Sequence, residues 1–149
     1  MAGLKFNVAM TDSQIFPVTV EREILAKAGA DVSEAACRSE GEVLRLAQDA
    51  DGILNVQAKI PRGVIEKLTK CKVIARYGIG YDTVDLAAAT ERGICVCNVP
   101  AFCVDEVADT TLSLILATTR KLIFAVDMVR GQNWARQPLR PIHRLRGQT

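Results

Sequence analysis

Short β-prone runs alternate with segments of helical periodicity along the first hundred residues, and this alternation restricts the fold more than any other feature. The predicted strands cover residues 5–10, 31–36, 53–56, 72–76 and 94–99. The predicted helices between them cover residues 20–28, 41–50, 61–70 and 85–92. Because strands separated by helices need crossover connections, the pattern predicts a parallel sheet. We therefore expect an α/β fold with a flavodoxin-like, doubly wound sheet of five parallel strands.

Residues at the ends of the predicted helices agree with these boundaries. Ser39 and Asp85 stand where N-caps accept hydrogen bonds from the first helical N–H groups. Asp82 could serve as a cap in the same way, which explains the two acids more simply than a catalytic carboxylate pair does. Gly29 and Gly93 follow two helices, in the position of typical helix terminators.

Residues 104–130 have a different character, with no proline or glycine and apolar residues on nearly all sides. This pattern predicts one long helix that is buried on several sides, between two domains or against a second copy of the chain. A connector follows it, containing Gly131, Trp134, Pro138 and Pro141.

Composition excludes several functional classes. The net charge of +2 is too small to gather nucleic acid or a membrane surface. Five cysteines without paired metal spacing, and His143 as the single histidine, predict no metal site. No apolar run has the length of a membrane span or the form of a signal peptide, so we expect a cytoplasmic protein with free thiols.

The stretch Arg76–Asp85, RYGIGYDTVD, resembles the Arg-x-Gly-x-Gly-x-Asp-Asn-Val-Asp pattern of D-isomer-specific 2-hydroxyacid dehydrogenases. Further matching motifs follow in the family's order, at Asn98–Pro100, Val104–Asp109, Gly131–Trp134 and Leu145–Thr149. The similarity is greatest to the branch that contains the C-terminal-binding proteins. It is dense from residue 72 onward and only architectural before that.

The resemblance implies that residues 1–101 form a substrate domain and that residues 102–149 begin an NAD-binding Rossmann domain. It also implies reversible hydride transfer between NAD(H) and a small 2-hydroxy or 2-keto acid, in a homodimer formed through helix 104–130. The family's cofactor loop and its catalytic Arg, Glu and His are expected beyond Thr149. We therefore expect no catalytic residue in this chain, and no dehydrogenase activity from it alone.

Gly78-Ile79-Gly80 is the main candidate binding loop. It is not a dinucleotide fingerprint, because the third glycine would fall at Thr83. Two glycines after a parallel strand instead allow backbone N–H groups to converge on an anion, although a plain tight turn is the alternative. The resemblance implies that Tyr77 to Gly80 bind the substrate carboxylate and that Ile79 lies near the nicotinamide.

Val56 and Gln57, at the end of the third predicted strand, are expected to face the same cleft. Relatives that act on phosphoglycerate tend to have Arg-Ser here, and arginine suits a phosphate, so its absence argues against a phosphorylated substrate. Val107 matches a position that contacts the nicotinamide side of the cofactor, where many relatives have threonine.

Three alternatives remain open. The chain could belong to an NAD-responsive corepressor-like scaffold, or to a phosphoglycerate dehydrogenase. It could also be a free-standing flavodoxin-like binding domain, although the apolar segment 104–130 would then stay partly exposed.

His143 could act as a general base, but no acid lies near it in the sequence.

Overall fold

A computed structural model describes residues 5–15 and 17–147. The elements of its sheet-forming part are β1 (Phe6–Met10), α1 (Thr19–Lys27), β2 (Ala30–Glu34), α2 (Glu40–Ala47), β3 (Gly52–Asn55), α3 (Arg62–Ile65), β4 (Val73–Arg76), α4 (Leu86–Glu91) and β5 (Cys95–Cys97). The elements that follow are α5 (Val104–Thr119), α6 (Leu122–Arg130) and one 3-10 turn (Gln137–Leu139). Part of the predicted motif at Leu145–Thr149 lies outside the described residues. The whole segment before Lys5 also lies outside them.

The five strands form one all-parallel sheet in the order β2-β1-β3-β4-β5, which confirms the predicted fold class. The chain divides into two compact units, with the boundary between Phe102 and Cys103. The first unit contains the whole sheet, and the second contains α5 and α6.

The sheet of the first unit has an apolar cluster on each face. Successive strand residues point to opposite faces, so Ala9 enters one cluster and Met10 enters the other. The larger cluster joins the strands to buried residues of α2, α3 and α4, and the smaller one lies on the side of α1. Each large side chain buried here, such as Ile53 or Ile74, contributes about 1.5–3 kcal/mol to folding.

The predicted caps are present in the structure. Ser39 and Glu42 form a capping box at the start of α2, and the Asp85 carboxylate accepts a hydrogen bond from the N–H of Ala88 at 2.9 Å. Gly29 and Gly93 have φ values of 80° and 64°, in the left-handed region that favours glycine at a helix end. The expectation that Asp82 also caps α4 was wrong, because Asp85 is the residue that accepts the bond.

The predicted long helix is interrupted, which corrects the prediction for residues 104–130. Lys121, with a left-handed φ of 53°, separates α5 from α6. Just before it, the Thr119 hydroxyl donates to the carbonyl oxygens of Ile115 at 2.7 Å and Leu116 at 3.3 Å. Such bonds compete with the helical hydrogen bonds and weaken the helix, even where neither proline nor glycine is present.

The apolar side chains of α5 and α6 are exposed or half-buried among the described residues. No residue of either helix is buried. Among the described residues, none of the helices combines the length and apolar character needed to cross a bilayer.

Candidate functional site

The loops after β3 and β4 bring most of the predicted site residues together at one edge of the sheet. Asn55, the last residue of β3, pairs with Arg76, the last residue of β4. Val56 and Gln57 therefore begin one loop beside the other loop, Tyr77 to Gly80. This edge holds the carboxyl ends of the strands, where ligands bind in open α/β sheets.

Two carbonyl groups of the β4 loop accept hydrogen bonds, whereas three of its N–H groups have no acceptor among the described residues. The Gly78 carbonyl accepts from the N–H of Val99 at 3.0 Å, and the Ile79 carbonyl accepts from the Asn98 side-chain amide at 2.8 Å. Within residues 5–15 and 17–147, no acceptor takes the N–H of Gly78, Ile79 or Gly80. Three backbone donors are thus free for an anion.

Gly78 and Gly80 supply space rather than an unusual backbone conformation. Neither has a φ in the left-handed region, so the loop is not a nest of alternating right- and left-handed residues. A Cβ atom at residue 80 would lie 3.3 Å from Oδ2 of Asp82, and one at residue 78 would lie 3.4 Å from Nη2 of Arg76. A side chain at residue 80 would therefore require the Asp82 carboxylate to shift slightly, whereas a Cβ at residue 78 would be in ordinary contact with Arg76.

Tyr77 has a structural environment that the sequence did not indicate. Its N–H donates to the Asn55 carbonyl at 2.9 Å, and its ring packs against the cluster around Met10 and Val18. The phenol donates to Oε1 of Glu21 at 3.0 Å. Burial raises the pKa of Tyr77, and the hydrogen bond and negative charge of Glu21 raise it further. The side chain holds the end of β4 against the α1 face.

Asp12 fixes the β3 loop, a role that sequence reasoning missed. Its carboxylate is 1% exposed and accepts from three successive N–H groups, those of Val56 at 2.8 Å, Gln57 at 3.1 Å and Ala58 at 3.0 Å. An acid directly after the first strand, at the ligand edge of the sheet, was the available signal. The Gln57 side chain stays exposed, whereas Val56 is half-buried beside the cluster of Met10.

A second set of hydrogen bonds joins the β3 loop to the β4 loop. The Asn55 amide donates to the Ala58 carbonyl at 2.8 Å, and its oxygen accepts from the Thr83 hydroxyl at 3.2 Å. Nη1 of Arg76 in turn donates to that hydroxyl at 2.7 Å. Arg76 has no ion pair with an acid in the part of the chain that the structure describes, and its Nε is buried without a partner. The Arg76 guanidinium therefore lies next to Gly78, while the Asp82 carboxylate lies next to Gly80.

Val107 lies in the second unit, on α5, with 56% of its surface exposed. Its N–H donates to the Cys103 carbonyl at 3.0 Å, and its own carbonyl accepts from the Thr111 hydroxyl at 2.7 Å. Only the apolar side chain is available for contact.

His143 is exposed, and the described residues contain no cluster of three or more His, Cys, Asp or Glu placed for a metal ion.

Comparison with known sequences identifies a related family. The profile described as D-isomer specific 2-hydroxyacid dehydrogenase, catalytic domain, matches residues 8–137. A glyoxylate reductase from Thermococcus litoralis is 36% identical over 95 residues, which are 63% of this chain and 29% of that protein. A D-3-phosphoglycerate dehydrogenase from Methanocaldococcus jannaschii is 39% identical over 122 residues, which are 80% of this chain and 23% of that protein.

A solved structure shows the same similarity. The 3-phosphoglycerate dehydrogenase of Entamoeba histolytica, with NAD+ bound, has a TM-score of 0.67 and 30% identity over 78% of this chain and 40% of that one. The matched part of this chain spans less than a third of the length of the glyoxylate reductase and of the D-3-phosphoglycerate dehydrogenase. These three proteins are enzymes, and the comparisons give no support to the branch of the C-terminal-binding proteins.

Proposed function

The chain belongs to the D-isomer-specific 2-hydroxyacid dehydrogenase family, and we propose that it supplies the substrate side of the active site in an oxidoreductase. The proposed reaction is reversible hydride transfer between NAD(H) and a small 2-hydroxy or 2-keto acid. We assign no residue of this chain a role in hydride or proton transfer. Its proposed task is to bind and orient the carboxylate of the substrate.

The free N–H groups of Gly78, Ile79 and Gly80 are the observation that carries this proposal. A carboxylate has two oxygens that accept hydrogen bonds, and charge-assisted bonds from backbone donors are among the stronger ones. Arg76 adds a positive charge beside the same loop without forming an ion pair among the described residues. Because the Asp82 carboxylate lies beside Gly80 of the same loop, the three N–H donors, and not the net charge, carry the proposed preference for an anion.

The chain's contribution to the cofactor is smaller. Ile79, in the first unit, is 45% exposed, and its apolar side chain suits contact with a nicotinamide ring. Val107, in the second unit, is 56% exposed and is a separate apolar candidate for cofactor contact. When bound, the nicotinamide supplies or accepts the hydride. The chain's own glycine pair lacks the third glycine of a pyrophosphate-binding loop, so we propose that other parts of the enzyme hold the rest of NAD.

We also propose that the enzyme is a homodimer formed through α5 and α6. Leu112, Leu114 and Ile123 are 58%, 62% and 69% exposed, and an apolar surface of this kind is typical of protein interfaces.

Titration of the 149-residue chain with glyoxylate tests the carboxylate site. Amide resonances of residues 78–80 should shift in NMR spectra, whereas amides elsewhere on the sheet should not. Gly80→Val should weaken binding about tenfold or more, which corresponds to about 1.4 kcal/mol. The added Cβ lies 3.3 Å from the Asp82 carboxylate, and we expect the branched side chain to narrow the space beside the N–H groups.

Gly63→Val is the matched control, since a Cβ there meets nothing within 4 Å. Its glyoxylate affinity should equal that of the unchanged chain. Shifts that avoid residues 78–80, or equal affinity in the Gly80 variant, would contradict the proposal.

A phosphoglycerate dehydrogenase is the second candidate, because one relative with 39% identity has that activity. Residues 56 and 57 of this chain do not supply an arginine for a phosphate. Adding 3-phosphoglycerate to the same titration compares the two substrates directly, and tighter binding than glyoxylate would favour the second candidate.

A further inference from the structure

Two exposed thiols lie side by side on β5. Cys95 and Cys97 are the first and last residues of this strand, and both are exposed. Because alternate residues of a strand point to the same face, both side chains leave the sheet on one side. Their Sγ atoms lie 3.7 Å apart. The two sulfurs are therefore close enough to bind one ligand together.

The strand keeps this pair as two thiols rather than as a disulfide. The Cα atoms of alternate strand residues are about 6.6 Å apart, and the parallel Cβ atoms are separated by a similar distance. A disulfide needs Cβ atoms about 3.5–4.5 Å apart. Cys95 and Cys97 could form that bond only if β5 bent away from its pairing with Val73 and Ala75 of β4.

The distance between the sulfurs fits two thiolates bound to one tetrahedral metal ion. Two sulfurs that each lie about 2.3 Å from a tetrahedral Zn²⁺ are about 3.8 Å from each other. The observed 3.7 Å is close to this value, so an ion could bind with almost no movement of the strand. Thiolates bind Zn²⁺ and similar ions, whereas Mg²⁺ and Ca²⁺ prefer oxygen ligands.

The position of β5 leaves the pair accessible. It is the outer strand of the sheet, and within residues 5–15 and 17–147 it pairs with β4 alone. The same described residues place no third His, Cys, Asp or Glu beside the two sulfurs. Two of the four positions around a tetrahedral ion would therefore stay open to solvent, in contrast to structural zinc sites, in which the protein supplies all four ligands.

We propose that Cys95 and Cys97 form a two-thiolate binding site for a divalent ion with the preferences of Zn²⁺, completed by water. Each thiol loses its proton to solvent when its sulfur binds the ion. The sequence led to the expectation of no metal site because zinc-binding cysteines are typically separated by two to four residues. A single intervening residue is the spacing that brings two side chains to one face of a strand.

The proposed metal site is separate from the proposed carboxylate site. The hydrogen bonds to the carbonyls of Gly78 and Ile79 come from Val99 and Asn98, which follow the cysteine pair. The inference therefore does not depend on the proposed function, and either can fail without the other.

Titration of the reduced 149-residue chain with Cd²⁺ tests the metal site, because bonds between Cd²⁺ and thiolates absorb ultraviolet light. One ion should bind per chain, and Zn²⁺ but not Mg²⁺ should displace it. Cys95→Ser and Cys97→Ser should each weaken binding at least about tenfold, since losing even a partner of a metal ligand costs roughly 10–100-fold. Cys103→Ser is the matched control, because Cys103 belongs to the second unit, and it should bind Cd²⁺ as the unchanged chain does.

Equal Cd²⁺ affinity in the Cys95 and Cys97 variants and the unchanged chain would overturn the site. Displacement by Mg²⁺ would overturn its thiolate character. One ion per two chains would overturn the assignment of the site to a single chain. Far-UV circular dichroism should show that both variants keep the fold, because the two side chains are exposed.

Alkylation of the unchanged chain gives a second measurement that needs no variant. Residues 93–119 contain no Lys or Arg, so trypsin leaves Cys95, Cys97 and Cys103 on one peptide, and fragment ions assign each thiol in mass spectra. Zn²⁺ should slow the reaction of iodoacetamide with Cys95 and Cys97 together and leave the rate at Cys103 unchanged. Equal slowing at all three thiols, or no slowing at Cys95 and Cys97, would overturn the proposal.

Discussion

Substituting Asp12 with asparagine tests whether its carboxylate holds the β3 loop in place. Oδ1 accepts from the N–H groups of Gln57 and Ala58, and Oδ2 accepts from the N–H of Val56 and from the Thr11 hydroxyl at 2.7 Å. If Oδ1 becomes the NH₂ group, the N–H groups of Gln57 and Ala58 lose their acceptor. If Oδ2 does, the N–H of Val56 loses its acceptor, whereas the Thr11 hydroxyl can still donate to the Leu54 carbonyl at 3.2 Å. Each unsatisfied buried donor costs about 1–3 kcal/mol, so the loss of one or two acceptors should lower the free energy of unfolding of Asp12→Asn by about 1–6 kcal/mol. That is a large part of the total of about 5–15 kcal/mol for a typical domain.

Urea unfolding followed by far-UV circular dichroism measures this difference. Glu23→Gln is the matched control, because it removes one negative charge from an exposed side chain that forms no hydrogen bond or ion pair within the described ranges. The control should lie within about 0.5 kcal/mol of the unchanged chain. If Asp12→Asn fell in the same range, the carboxylate would not be fixing the loop, and our account of how Val56 and Gln57 are positioned would be refuted.

Two further predictions concern acid stability and assembly. The hydrogen bond from the backbone N–H of Arg38, and smaller effects of hydrogen bonds with Ser39, lower the pKa of Glu42 below its ordinary 4.5. The ionised Glu42 therefore stabilises the fold above pH 4.5, and this stabilisation is lost as the pH falls through the lowered pKa. Glu42→Gln should therefore lose less stability on acidification below pH 4.5 in urea unfolding series, and an unchanged slope would contradict this origin. The apolar surfaces of α5 and α6 should make the chain a dimer or a larger particle in light scattering, whereas a monomer would count against the proposed interface.

The sequence predicted the features that depend on neighbouring residues. Alternating strand and helix patterns were sufficient for the five-stranded parallel sheet, because crossover connections restrict how such segments can pack. Ser39 and Asp85 could be identified as caps because their partners lie three residues away. The position of the glycine loop after β4 followed from the same local pattern. That this loop binds a carboxylate is still a proposal.

Tertiary structure alone decided how the side chains at the sheet edge are used. Asp12 binds N–H groups 44 to 46 positions away, and the Tyr77 phenol donates to Glu21, 56 positions away. A hydrogen bond between such distant residues depends on which strands become neighbours, and no spacing along the chain encodes it. Periodicity and composition therefore determined the sheet and the positions of its loops. The folded sheet determined which polar groups form the hydrogen bonds that hold those loops, and which backbone donors remain free.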